Sequence, residues 1–188
     1  MRLGFAFCGS FCNHQNVLEV YELLSQRVQL TPILSEHAAA CDTRFGTAEQ
    51  FVARVEQIAH RTAIRTIVEA EPLGPQDMVD ALVIAPCTGN TMAKLAAGMT
   101  DGCVTMAAKS LLRNGKPVVI ALATNDGLSA SARSIAALLN RKHYYFVPFG
   151  QDDALRKPTS LVADFSAIPE TVEAATHGIQ FQPLLRAA

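Results

Sequence analysis

The chain has 188 residues, 49% of them hydrophobic and 18% charged, with 16 basic against 17 acidic side chains and a net charge of -1. That is the size of one globular domain with its own core, and the near-neutral balance lacks the basic footprint of a nucleic-acid or anionic-membrane binder. No apolar stretch approaches the ~20 residues of a membrane span. Met1 to Phe5 runs straight into a strand pattern instead of a leader, so a cytoplasmic protein is expected.

In chain order, strand-length apolar runs alternate with longer amphipathic segments. Leu3 to Cys8 reads as the first strand, followed by a helix over Asn16 to Val28 with Val17, Val20, Tyr21 and Leu24 at helical spacing. Leu30 to Leu34 is the second strand, and Thr47 to Ala59 the next helix, with Thr47 in the N-cap position. Ala63 to Val68 reads as a third strand and the wholly apolar Ala81 to Ala85 as a central fourth. Helices are expected over Asn90 to Gly98 and Val104 to Arg113, the latter stopped by Asn114-Gly115 and Pro117. Val118 to Leu122 is the fifth strand, Ser131 to Asn140 a helix and Tyr144 to Val147 the sixth strand, before a helix near Pro169 to Thr176 and an extended Ile179 to Leu185. The alternation predicts an α/β, Rossmann-like three-layer sandwich, with a six-stranded parallel sheet in one domain spanning residues 1–188.

In such folds ligands bind in the loops after the carboxyl ends of the strands. Here those loops include Gly9 to His14, Ser35 to Gly46, Glu69 to Gly74, Pro86 to Thr91 and Ala123 to Ser129. Gly9-Ser10-Phe11 places a glycine, a hydroxyl and a helix start where a phosphate is readily held, although a plain strand-to-helix turn explains the same residues. Neither G-x-G-x-x-G nor G-x-x-x-x-G-K-[ST] occurs, which weakens dinucleotide binding through the usual fingerprint and ATP hydrolysis. Cys8-x3-Cys12 has no second half and the five histidines are scattered, so no metal site is expected.

The most informative stretch runs from Ala85-Pro86-Cys87-Thr88-Gly89-Asn90-Thr91 to Lys94, Gly98 and Asp101. Small residues there let a flat ring approach the backbone, and Asn90 and Thr91 offer donors at a helix start. With Gly9 and Ser10, this string resembles the flavoprotein family of phosphopantothenoylcysteine and peptidyl-cysteine decarboxylases and prenyl-flavin enzymes. That family carries Ala-Pro-x-(Ser/Thr/Asp)-Ala-Asn-Thr-x-x-Lys-x-Ala-x-Gly-x-x-Asp. The resemblance implies FMN, with Gly9, Ser10, Phe11, Ser35, Pro86, Thr88, Asn90 and Thr91 as cofactor-binding residues.

A closer resemblance covers nearly the whole chain. Asp42-Thr43-Arg44-Phe45-Gly46, Ile67-Val68-Glu69-Ala70-Glu71-Pro72-Leu73-Gly74-Pro75, Leu112 to Pro117, Thr124-Asn125-Asp126 and Tyr145 to Asp152 are similar to the B subunits of dipicolinate synthases. That likeness implies an oxidoreductase subunit in the mother cell of a spore-forming bacterium, a homo-oligomer acting on a small dicarboxylate with an A subunit that carries NADP. The catalytic histidine of the cysteine decarboxylases is missing: Glu69, Glu71, Pro72 and Asp77 stand in its region. Ala123-Thr124-Asn125-Asp126 replaces their Pro-Ala-Met-Asn clamp, so a stand-alone decarboxylase is disfavoured. A flavin-free structural partner of the A subunit remains an alternative.

For a dicarboxylate, Arg44 is the leading candidate because a guanidinium fork matches a carboxylate, with solvation or a pair with Asp42 as the competing reading. Thr124 and Asn125 are candidate substrate contacts. Glu69, Glu71 and Asn125 are the catalytic candidates, a glutamate acting as base if burial raises its pKa.

Overall fold

A computed structural model describes residues 1–186. Four strands, β1 (Arg2–Phe7), β2 (Gln29–Leu34), β3 (Ala81–Cys87) and β4 (Val118–Thr124), form a parallel sheet in the order β2-β1-β3-β4. Beyond β4 the edge divides. Its first half pairs in parallel with β5 (Tyr144–Phe146), while Ala123 and Thr124 at its carboxyl end pair antiparallel with β7 (Leu161–Ala163), which carries β6 (Phe149–Gly150) outside it. The sheet is therefore mixed and seven-stranded, not parallel and six-stranded. β3 is buried along its whole length, as a strand covered on both faces must be.

Helices α1 (His14–Ser25), α3 (Ala48–Ala59) and α8 (Ile168–Thr176) pack on one face of the sheet. The other face carries α4 (Ile67–Ala70), α5 (Gly89–Ala97), α6 (Cys103–Leu112) and α7 (Ala132–Leu139). The short α2 (Glu36–Ala40) follows β2 and packs on α3. Thr47 caps α3 in a capping box with Gln50, as its position predicts.

The expected third strand, Ala63 to Val68, is corrected. Ile64 makes only an isolated parallel bridge to Ile33, and Thr66 then opens α4. The Thr66 hydroxyl accepts from Glu69 N–H while the Glu69 carboxylate accepts from Thr66 N–H, a second capping box. Two such bonds satisfy helix-start donors that a strand would have to pair elsewhere.

Candidate functional site

Loops at the carboxyl edge of the sheet enclose three neighbouring cavities. The first, about 970 Å³, lies between the β1 loop, the start of α5 and the β4 loop, and is closed on the far side by the β6–β7 connection. Ser10, Thr88, Asn90, Thr124 and Asn125 line it. The second, about 320 Å³, takes Gly9, Phe11, Ser35, Thr88, Asn90 and Thr91. A third, about 420 Å³, sits between α1, α3 and the loop after α2. Thr88 and Asn90 are shared by the first two, and Phe11 by the latter two. Of the expected cofactor residues, all but Pro86 line the first two cavities; Pro86 is buried within β3, where the ladder to β4 shifts register between Ile84 and Cys87. A proline supplies no N–H to the ladder, which favours such an irregularity.

Ser10 adopts a left-handed backbone, φ 65° and ψ 49°, and its side chain caps nothing; its Oγ instead accepts from Asn13 Nδ2 at 2.8 Å. The hydroxyl proton stays available to a ligand. Helix α5 begins at Gly89, one residue earlier than expected, because Thr88 is the cap: its Oγ1 accepts from Thr91 N–H at 3.2 Å. Other first-turn N–H groups of α5 have no intrahelical acceptor, so this helix start faces both cavities with free donors and the positive end of its dipole. Ser35 caps α2, accepting from Ala38 N–H at 3.2 Å, and likewise keeps its own proton to donate.

Cys8 and Cys103 also line the 320 Å³ cavity. Burial pushes the Cys8 thiol up to about 12 and the Cys103 thiol up to about 11, so both stay neutral and do not repel a phosphate. Asp101 at the rim is paired with Lys94 at 2.8 Å. Glu36 is the other carboxylate of this lining, and the hydroxyls, the Asn90 amide, the helix-start N–H groups and the neutral thiols suit a phosphate with a polyol chain, the requirement of a flavin mononucleotide.

Asp126 organises the β4 loop. Its Oδ1 accepts from Thr124 Oγ1 at 2.5 Å and from Ser131 Oγ at 2.8 Å, and these hydrogen bonds hold its pKa below the usual carboxylate value. Gly89 packs closely beside it: a Cβ there would lie 2.3 Å from Ser131 Oγ, 2.7 Å from Thr124 Oγ1 and 2.9 Å from Asp126 Oδ1, so these side chains would have to shift. Asn125 is exposed; its carbonyl accepts from Thr159 Oγ1 at 2.7 Å.

The remaining candidates lie elsewhere. Glu69 and Glu71 line none of these cavities. Glu69 is committed to its capping box, where hydrogen bonds from Arg65 N–H and Thr66 lower its pKa, and Glu71 pairs with Arg113 at 3.3 Å. Both are exposed, so the burial on which a base role depended is not met. Arg44 stacks at 4.8 Å over the ring of Phe45, a residue of the 420 Å³ cavity, without itself being part of that lining, and it makes no ion pair with Asp42, whose carboxylate instead accepts from Ala48 N–H at 2.9 Å. Asn125 thus lines the 970 Å³ cavity, while Arg44 is in the lining of none of the three and reaches the 420 Å³ cavity only through Phe45. Asp152, Lys157 and Ser160 of the β6–β7 connection line the largest cavity and were not foreseen; the apolar run Leu161-Val162-Ala163 was the one sequence sign of a strand there.

The family model described as Flavoprotein matches residues 1–151. The chain belongs to the flavoprotein family. It is 42% identical over 185 residues, 98% of this chain and 92% of the relative, to the B subunit of dipicolinate synthase from Bacillus subtilis (strain 168). The crystal structure of the corresponding B subunit from Bacillus halodurans has a TM-score of 0.89 at 42% identity, covering 99% of this chain and 96% of that one. The FMN-dependent cysteine decarboxylase SpaF has a TM-score of 0.69 at 23% identity, over 93% of this chain and 97% of that one, and so shares the fold. These flavoprotein relatives share the α/β three-layer architecture described above.

Proposed function

We propose that this chain is the B-type subunit of a dipicolinate synthase, an oxidoreductase assembly that converts a dihydrodipicolinate-type precursor to dipicolinate during sporulation. The observation that carries the reading is the 42% identity to the B subunit of a dipicolinate synthase along 98% of the chain. The protein works in the cytoplasm of the mother cell as a homo-oligomer, with an A-type subunit that holds NADP.

FMN binds at the carboxyl edge. Gly9, Ser10 and Ser35 would hold its phosphate and ribityl chain, and Pro86 to Thr91 would lie against its ring. When bound, a flavin supplies a two-electron acceptor. The chain's own residues bind and orient: Asn90 and Thr91 donate to ring or phosphate oxygens, and Thr124 and Asn125 line the approach from the β4 side. Neither Glu69 nor Glu71 reaches these cavities, so neither is assigned a role on the reacting ring.

The test is reconstitution. Dipicolinate formation from the dihydro precursor with NADP is expected to need both this chain and an A-type subunit, with either alone at least about tenfold slower. Full activity of the A-type subunit alone would refute the assignment.

A further inference from the structure

The cavities around the β1 loop differ in charge, and that difference bears on where an anionic substrate can sit. The largest is acidic. Glu19, Asp126, Asp152 and Asp164 line it against a single cation, Lys157. Lys157 is already paired with Asp152 at 3.0 Å, and Asp164 draws on Arg186, a residue outside the lining. Asp152 stays below the usual carboxylate range although burial opposes it, because Ser160 and Lys157 donate to it. A dicarboxylate entering this cavity meets fixed negative charge that the two cations do not offset.

The 420 Å³ cavity is the opposite case: no carboxylate lines it. Its walls are apolar and aromatic. The His14 ring stacks on Phe51 at 4.3 Å with an interplanar angle of 20°, and Phe11 meets His14 edge-on at 5.3 Å. Burial lowers the His14 pKa, so the ring is neutral at pH 7. Since a carbonyl can only accept, its Nε2 carries the proton that bonds Cys8 O at 2.8 Å. Phe45, 56% exposed, adds a solvent-accessible aromatic side chain to the lining.

Polar groups at this mouth are donors. The Arg44 guanidinium lies beside the lining, 4.8 Å over the ring of Phe45, and takes part in no ion pair among the described residues. Gln50 commits its Oε1 to the Thr47 N–H in the α3 cap, which leaves its side-chain N–H groups to donate outward. Arg54 is also in the lining, but it spends its charge on Glu22 at 2.9 Å.

We infer that the cavity between α1, α3 and the Asp42–Thr47 loop is a binding site for a planar cyclic carboxylate, its ring against Phe45 and Phe51 and a carboxylate on Arg44 with Gln50. The inference rests on the reading that the chain acts on a pyridine-type dicarboxylate, and it assigns that ligand to a pocket adjoining the proposed flavin site instead of the larger acidic one. Phe11 lines this pocket and the proposed phosphate cavity, and Cys12 lines this pocket and the acidic one, so the ligand lies against the same loop that carries Ser10.

The experiment is calorimetric titration of the purified full-length chain with pyridine-2,6-dicarboxylate, with uncharged pyridine and non-aromatic succinate as comparison probes. Saturable binding of the aromatic dicarboxylate is expected, with both comparison probes at least about tenfold weaker. Arg44→Ala should weaken it by about tenfold, the loss of a charge-assisted contact, and Phe45→Ala by a similar or smaller factor, while Lys157→Ala changes it by less than about twofold. Arg44 and Phe45 are both exposed, and unchanged thermal midpoints verify folding. No saturable binding, or loss on Lys157→Ala with Arg44→Ala silent, would overturn the inference. FMN titrated into the same variants separates the two readings: failure to bind flavin counts against the cofactor assignment alone, and failure to bind the dicarboxylate against this pocket alone.

Discussion

Gly89 shows how one position can fix a site. The family string has alanine there, and this chain has glycine because the Thr124, Asp126 and Ser131 polar atoms occupy the space a methyl would need. Gly89→Ala should destabilise the protein by about 1–3 kcal/mol through overpacking, more than the ~1 kcal/mol that alanine's higher helix propensity returns. Urea unfolding measures this. In a Ser131→Ala background the cost should shrink, because the nearest clashing atom, at 2.3 Å, is gone and contacting residues couple. Equal costs in both backgrounds would show that the cluster does not set the constraint. Sequence alone could mark the position as a small residue before a helix, but the three atoms that demand glycine come from a loop 35 or more residues downstream.

At the scale of elements, most of the architecture was legible. The buried β3, the β1 and β2 runs and the longer helices α1, α3, α5, α6, α7 and α8 follow from apolar periodicity and cap signals, and Thr47 was recognisable as a cap. Ala63 to Val68 was misread because a short run containing Ile64, Ile67 and Val68 suits either state. The deciding sign, Thr66 followed three residues later by Glu69, is a capping-box pattern visible in the sequence. The β6–β7 pairing was not legible, since strands of two and three residues owe their existence to non-local partners. The carboxyl-edge loops were legible as a site because topology places them there, whereas Asp152 and Lys157 became visible only with that pairing.

An ion cluster at the opposite edge of the sheet ties three elements. Arg2 at the start of β1 and Lys116 just before β4 both hold Asp77, in the turn preceding β3, and Arg2 also bonds Asp80. Hydrogen bonds from Lys116 and then Arg2 bring the Asp77 carboxyl down to about 2 from 3.8. A carboxyl whose folded pKa is depressed stabilises the fold above its unfolded pKa, and the contribution is lost as pH falls through the folded value. Stability to urea should therefore drop between about pH 4 and pH 2, and Asp77→Asn should flatten that limb. Asparagine keeps the left-handed backbone of this residue, φ 51°. An unchanged acid slope in the variant would assign the loss to other carboxylates.

At the scale of the whole molecule, a net charge of -1 conceals a local separation. An acidic cavity, a carboxylate-free aromatic one and a donor-rich one with neutral thiols surround a single loop, Gly9 to His14, at one edge of the sheet. Recognition of anionic ligands then depends on a few placed donors, with little help from a global field. The central claim is that this edge holds FMN, and its most direct test is fluorescence titration of FMN with the purified chain and with Ser10→Ala and Asn90→Ala. Saturable quenching is predicted for the native chain, with each variant about tenfold weaker, as the loss of one hydrogen bond to a charged or strongly polar group implies. No saturation by the native chain, or variants that bind FMN as tightly as it does, would contradict the account.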